Sequence, residues 1–184
     1  MPRISERFKD DFINKGQSHI LQYNYQDRLI INMGYSYHYN SIGGAIINNT
    51  IASNSYSIRF NFESAGNIMY ALSKATNIRK NNDGEYAILG IPYAQYVKGE
   101  FDFSKNIRID HRNSFAFHIG MGIAVPYGNA KTIPFEKQYF SGGANSVRGW
   151  TVRDLGPGSF VRDENTNLLD QSGDIKLDAS IEYR

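Results

Sequence analysis

Cysteine is absent from this sequence, which excludes disulfide bonds and thiolate metal sites. No run of about 18 consecutive apolar residues occurs either, which excludes a membrane-spanning helix. The first residues lack the apolar segment of a secretory signal, so we expect the signal of an exported protein to lie upstream of Met1. The 20 basic and 18 acidic residues leave a net charge of +2, and this balance gives no reason to expect nucleic acid as a partner.

Aromatic residues and glycine are, by contrast, abundant. The chain has 13 Tyr, 11 Phe and 17 Gly but a single Trp. Tyr, Phe and Ile favour β-strands, while Gly and Asn favour the turns that join them. The composition therefore predicts a mainly β protein.

Apolar and polar residues alternate in several segments, as they do in strands with two different faces. In the first of these segments Met33, Tyr35 and Tyr37 share one side, and polar residues such as Ser36 and His38 lie on the other. The alternation predicts strands over 28–40, 56–63, 115–125 and 175–183, and weaker ones over 19–26 and 93–103.

The length of these segments bears on their surroundings. Strands of soluble proteins average about 5 to 6 residues, whereas a tilted strand needs about 9 to 11 to cross a bilayer. Several segments are long enough to cross a bilayer, which favours a transmembrane barrel with lipid-facing apolar side chains. Alternation alone also fits a soluble sandwich or lipocalin-like barrel, in which the same side chains face a core.

The number of strands predicts that the chain is part of a larger barrel. A membrane barrel needs about eight strands, and open sheet edges are not tolerated in hydrocarbon. We find no linker that would divide residues 1–184, so we expect one partial barrel domain of about six strands. One short helix is predicted over 67–74, after Gly66.

The most informative motif lies between the last two predicted strands. Residues 140–150 read Phe-Ser-Gly-Gly-Ala-Asn-Ser-Val-Arg-Gly-Trp, and Leu-Gly-Pro-Gly follows at 155–158. Glycine permits positive φ and close backbone approach, so an ordered loop can deliver Arg148 to a partner. The motif resembles the signature loop of BamA/TamA-type outer-membrane assembly proteins, the bacterial surface-antigen superfamily. The residues that carry this resemblance are Phe140, Gly142, Gly143, Val147, Arg148, Gly149, Trp150, Gly156 and Pro157.

The resemblance implies an all-β fold, an antiparallel transmembrane barrel. In this family a barrel of about sixteen strands follows periplasmic POTRA domains. The signature loop joins the eleventh and twelfth strands, which Arg112–Val125 and Ile175–Tyr183 resemble. The POTRA domains and the closing strands are then expected to lie outside this chain.

The resemblance also implies a role for the loop. In the family the loop folds into the barrel lumen, where its arginine meets acidic residues of the inner wall. Glu182 resembles the acidic position on the following strand and is the preferred partner of Arg148, with Asp178 as the second candidate. A guanidinium can bind a carboxylate in a bidentate manner that lysine does not reproduce. We expect the contact to pin the loop, with the glycines shaping its backbone and Trp150 packing it.

No enzymatic site is predicted. Asp178 and Glu182 would lie about 13 to 14 Å apart along one strand, beyond the roughly 5 to 9.5 Å of a glycosidase pair. The four histidines, at 19, 38, 111 and 118, lack a metal-binding spacing, and there is no Gly-x-Ser-x-Gly motif. We therefore expect no catalytic residue, no metal and no cofactor.

The expected function follows from the resemblance. A protein of this kind would assist the insertion of barrel proteins into the bacterial outer membrane, or the translocation of polypeptides across it. Its expected partners are the lipid bilayer, unfolded barrel or secreted clients, and accessory subunits that are periplasmic or lipoproteins. The alternatives are a two-partner-secretion exporter, a soluble β-barrel binding module and a passive porin.

Overall fold

The computed structural model describes residues 27–41, 54–81, 84–110, 112–144, 146–155 and 172–184. Nearly all of its regular structure is β. In chain order the elements are β1 (Asn32–Asn40), β2 (Asn54–Ala65), α1 (Asn67–Ala75), β3 (Ala87–Ile88), β4 (Ile91–Pro92), β5 (Tyr96–Arg108), β6 (Ser114–Pro126), a 3₁₀ turn (Phe135–Lys137) and β7 (Ile175–Tyr183).

Five long strands form one antiparallel sheet in the order β1-β2-β5-β6-β7. Strands β3 and β4 form a separate small hairpin in the connection between β2 and β5. Strands β5 and β6 have 13 residues each, more than the roughly 9 to 11 that a tilted strand needs to cross a bilayer. The described sheet is not closed, because β1 and β7 form its edges.

The two faces of the sheet differ sharply. One row across the outer face consists of large apolar side chains in register, namely Tyr37, Phe60, Phe101, Met121 and Leu177. Leu177 is 73% exposed and Met121 is 47% exposed, although a soluble protein would cover such a face. The opposite face carries most of the charged and polar residues. This arrangement is that of a membrane barrel wall with apolar residues towards lipid, and it confirms the predicted fold class.

The buried core is small and lies at one end of the sheet. This end, which we call the loop end, is where β2 and β6 finish and β5 begins. Its core consists of Ala65, Ala94, Tyr96, Ala124, Ile133 and Tyr139. Buried side chains therefore gather where the connection after β6 returns to the polar face.

Helix α1 begins directly after β2 because Gly66 permits a sharp turn. Gly66 has a φ of 78°, and its amide donates to the carbonyl of Ile31 at 3.0 Å. A Cβ atom here would lie 2.3 Å from the carbonyl oxygen of Ala94, so only glycine fits. The predicted helix over 67–74 is confirmed, with its end at Ala75. Within the described part of the chain, no helix is long and apolar enough to cross a membrane.

The predicted strands are also found. The segment 175–183 matches β7 at both ends, and the segment 115–125 matches β6 within one residue. The segment 56–63 lies inside β2, and the segment 28–40 starts too early, because β1 begins at Asn32. The segment 93–103 differs more, since β5 runs from Tyr96 to Arg108. Lys105 occupies an outer-face position there and interrupts the apolar alternation that the prediction followed. The segment 19–26 lies outside the described residues.

Candidate functional site

The polar face of the sheet carries a cluster of charged residues on three neighbouring strands. Asp102 of β5 and Asp178 of β7 both lie opposite Gly120 of β6. The His118 ring lies between the two carboxylates, with Nε2 3.4 Å from Asp102 Oδ1 and Nδ1 3.9 Å from Asp178 Oδ1. Lys176 Nζ is 2.9 Å from Asp178 Oδ2. Asp178 is thus already engaged by neighbours on the wall.

Two glycines of β6 leave a recess on this face. A Cβ atom on Gly120 would lie 2.2 Å from Asp178 Oδ1, and one on Gly122 would lie 2.6 Å from Tyr139 Cζ. Neither glycine has a positive φ, so each is needed for space and not for backbone conformation. The recess at Gly122 is filled by the ring of Tyr139, which comes from the connection after β6.

Tyr139 attaches that connection to the wall. Its hydroxyl donates to the carbonyl oxygen of Gly99 at 3.1 Å, and Lys98 Nζ lies 4.2 Å from the ring centroid. The side chain is almost fully buried, and this burial raises the pKa of the Tyr139 phenol far above its usual value. Its backbone exchanges two hydrogen bonds of 2.8 Å with Gly173, just before β7. The loop from 140 to 172 therefore leaves and returns at one fixed point.

A second attachment comes from the 3₁₀ turn just before Tyr139. Lys137 Nζ lies 2.7 Å from Oε1 of Glu63 on β2. The same carboxylate oxygen accepts hydrogen bonds from Tyr96 OH at 2.5 Å and from Asn32 Nδ2 at 2.6 Å. Lys98 Nζ donates to the carbonyl oxygen of Lys137 at 3.1 Å. The start of the loop is thereby tied directly to β2 and β5, and through Glu63 to β1.

The signature loop itself is narrow. Gly142, Gly143 and Gly149 all have φ between 90° and 97°. The amide of Gly143 donates to the carbonyl of Trp150 at 2.9 Å, and a Cβ atom on Gly142 would lie 2.2 Å from the carbonyl oxygen of Thr151. The two arms of the loop approach so closely that side chains could not fit between them.

Arg153 packs the base of the loop. Its guanidinium lies 3.9 Å from the ring centroid of Phe135 and 5.0 Å from that of Phe140. Its amide donates to the carbonyl of Ser141 at 3.0 Å. Phe140, the first residue of the motif, thus contributes to a small aromatic and cationic stack.

Arg148 lies exposed at the far side of the loop. Within the described ranges no acidic side chain lies within 4.0 Å of its guanidinium. Glu182 Oε2 instead accepts a hydrogen bond from Arg184 Nη2 at 3.0 Å. The pairing of Arg148 with Glu182 or Asp178 therefore stays a prediction.

The remaining residues of the motif are less constrained in the described structure. Val147 is 41% exposed and Trp150 is 51% exposed, so the packing role expected of Trp150 also stays a prediction. Gly156 and Pro157 lie outside the described residues. Of the described Asp, Glu and His side chains, no group of three or more could hold a metal ion.

Sequence reasoning missed the residues that hold the loop, chiefly Glu63, Lys98, Lys137 and Tyr139. One feature of the sequence could have pointed to Tyr139. Gly120 and Gly122 fall on the same face of β6, and an aromatic residue follows thirteen positions after Pro126, directly before the motif. Glycine on a strand often marks close approach of another group, and Tyr139 supplies it here.

Two comparisons with known proteins agree with this geometry. The chain is similar to the "Outer membrane protein assembly factor BamA" of Neisseria meningitidis serogroup B, with 40% identity over 62 residues. That match covers 34% of this chain and only 8% of the relative. The family model described as "Omp85 superfamily domain" matches residues 13–184. With its lipid-facing strands and a family match over nearly its whole length, this chain belongs to the Omp85 superfamily and resides in the bacterial outer membrane.

Proposed function

We propose that this protein acts as a BamA/TamA-type factor, which assists the insertion of barrel proteins into the outer membrane or the translocation of polypeptides across it. The observation that carries the proposal is the fixed attachment of the signature loop to the polar wall through Tyr139 and Lys137. Membership of the Omp85 superfamily and similarity to a BamA protein support it. The partners are then the bilayer, unfolded barrel or secreted clients, and accessory subunits of periplasmic or lipoprotein type.

The loop end of the sheet is proposed to face the cell exterior. The connections at this end span 66–95 and 127–174, whereas those at the opposite end span 41–53 and 109–113. Outer-membrane barrels have long extracellular loops and short periplasmic turns. The signature loop would therefore enter the lumen from outside, and the attachments at Tyr139 and Lys137 would hold it against the wall.

The proposed role of Arg148 is structural. In this role the guanidinium would compete for the Glu182 carboxylate with Arg184, whose Nη2 donates to Glu182 Oε2 at 3.0 Å. A charge-assisted contact in the lumen would fix the loop while client segments pass. The proposal assigns the protein no bond-making step, no cofactor and no metal.

The proposal is tested with the complete protein reconstituted in lipid vesicles. The measured quantity is the rate at which a denatured barrel client becomes resistant to protease. We expect Arg148→Ala to slow client insertion about tenfold or more, since one charged hydrogen-bonded contact is worth about 1.5 to 3 kcal/mol. Arg148→Lys should recover little of that rate, because lysine lacks the bidentate geometry.

Arg112→Ala is the matched control, because Arg112 is an exposed arginine in the short turn at the other end of the sheet. It should leave the rate unchanged. Vesicles in which the wild-type protein gives no acceleration for any barrel client would contradict the proposal. Export of a single secreted polypeptide without such acceleration would instead identify a two-partner-secretion exporter.

A further inference from the structure

Helix α1 presents its apolar side outwards. Ile68, Ala71, Leu72 and Ala75 follow the i, i+3, i+4, i+7 spacing of one helical stripe, and all four are exposed. Ile68 is 54% exposed and Leu72 is 48% exposed. The buried residue of the helix is instead Ser73. A helix at a water-facing surface shows the reverse pattern, so this stripe requires an apolar environment.

The stripe continues the lipid-facing surface of the sheet. Ile68 lines a groove of about 280 Å³ together with Met33 and Tyr35 of β1 and Phe62 of β2. These strand residues belong to the outer face, which the bilayer covers. Because Gly66 turns the chain sharply at the end of β2, the helix starts beside that face and extends its apolar surface past the strands.

Basic residues lie in and just after the helix that carries the stripe. Lys74, Arg79 and Lys80 are exposed, and no acidic residue occurs from 67 to 80. Lys74 Nζ lies 5.0 Å from the ring centroid of Tyr70, and Lys80 Nζ lies 5.1 Å from that of Tyr86. Helices that lie in a membrane interface combine an apolar stripe with neighbouring lysine and arginine, which attract anionic headgroups.

We propose that α1 is an interfacial membrane helix. Its stripe of Ile68, Ala71, Leu72 and Ala75 enters the acyl boundary of the outer membrane, and Lys74, Arg79 and Lys80 lie at the level of anionic headgroups. This site is distinct from the lumenal loop and does not depend on client insertion. Failure of the proposed function would leave it intact, and its own failure would leave the proposed function intact.

Residues 1–184 contain no cysteine, so a single label can be placed in this part of the chain once any cysteine elsewhere in the complete protein is replaced by serine. The complete protein carries one environment-sensitive label at Leu72→Cys and is reconstituted in phosphatidylcholine and phosphatidylglycerol vesicles with shallow nitroxide lipids. Met121→Cys on the outer face is the positive control. Leu89→Cys is the matched control, because Leu89 is 96% exposed at the turn between β3 and β4. We expect quenching at position 72 to exceed that at position 89 by roughly twofold or more.

Two results would overturn the proposal. One is quenching at position 72 no stronger than at position 89. The other is a label that is shielded from aqueous acrylamide but not quenched by lipid nitroxide, because a second copy or another protein would then cover the stripe. If Leu72→Cys disturbs folding, Ala71→Cys on the same stripe serves as the second reporter.

Discussion

The two connections of β6 are held in opposite ways. The short turn before it is held mainly by its own residues, since Asp110 accepts hydrogen bonds from the amides of Arg112 at 2.7 Å and Asn113 at 2.9 Å, and one distant residue, Tyr183, donates to Asn113. The long connection after it is held by distant residues, since Tyr139 bonds to Gly99 and Lys137 to Glu63. The turn can therefore form together with β5 and β6. The loop, by contrast, can take its position only after β2, β5 and β6 have assembled into the sheet.

Filling the recess under Tyr139 is expected to weaken the attachment of the long connection most. In Gly122→Ala the new Cβ would lie 2.6 Å from the Tyr139 ring, so the ring must leave the wall. We expect the free energy of unfolding to fall by about 1 to 3 kcal/mol, as is usual for overpacking. Protease sensitivity of the 140–172 loop in the complete protein is the second measurement. Ser104→Ala, also on the polar face, is the control, and equal loop protection in both variants would refute the role of Tyr139.

A smaller effect is expected from removing only the hydroxyl of Tyr139. Tyr139→Phe keeps the ring over Gly122 but loses the hydrogen bond to Gly99. We expect a loss of about 0.5 to 1.5 kcal/mol in denaturant unfolding, with the loop still protected from protease. Tyr183→Phe is the matched control, because it removes a tyrosine hydroxyl that donates to Asn113 at the turn end and should leave protection of the 140–172 loop unchanged. A Tyr139→Phe protein with a fully cleavable loop would show that the hydroxyl, and not the ring, carries the attachment.

The ion pair of Lys137 is expected to contribute less. Both Lys137 and Glu63 are about one quarter exposed, and Glu63 keeps Tyr96 and Asn32 as partners when the lysine is lost. Lys137→Met should therefore lower stability by about 1 kcal/mol or less. High salt should reduce the difference between the variant and the wild type. A difference that does not change with salt would argue for packing of the lysine stem.

The smallest effect concerns the turn before β6. The amide of Arg112 and the side chain of Asn113 hold the pKa of Asp110 below its usual value. Since the folded state favours the ionised form, its contribution is present above the ordinary aspartate pKa and is lost as the pH falls through the lowered value. Asp110→Ala should therefore remove a small acid-dependent part of stability and leave loop protection unchanged. Increased cleavage of the 140–172 loop in this variant would erase the contrast between the two connections.

The same contrast explains what could be predicted from the sequence. Alternation is a local property, so the strands and the helix after Gly66 were predicted with their approximate ends. The motif around Arg148 could be recognised because its residues are contiguous. Glu63 and Lys137, by contrast, meet across 74 sequence positions, and no local pattern marks such a pair. The distant contacts that attach the loop therefore had to come from the structure.

We propose above all that the loop acts through Arg148 and the acidic residues of the lumen wall. The most direct test is a double-mutant cycle on client insertion with Arg148→Ala, Glu182→Gln and the double variant, run beside the same cycle with Asp178→Asn. If Arg148 and Glu182 act as a pair, the double variant should be about as slow as the slower single variant, a coupling of about 1 kcal/mol or more. Strictly additive effects in both cycles, or single variants as fast as the wild type, would contradict the account.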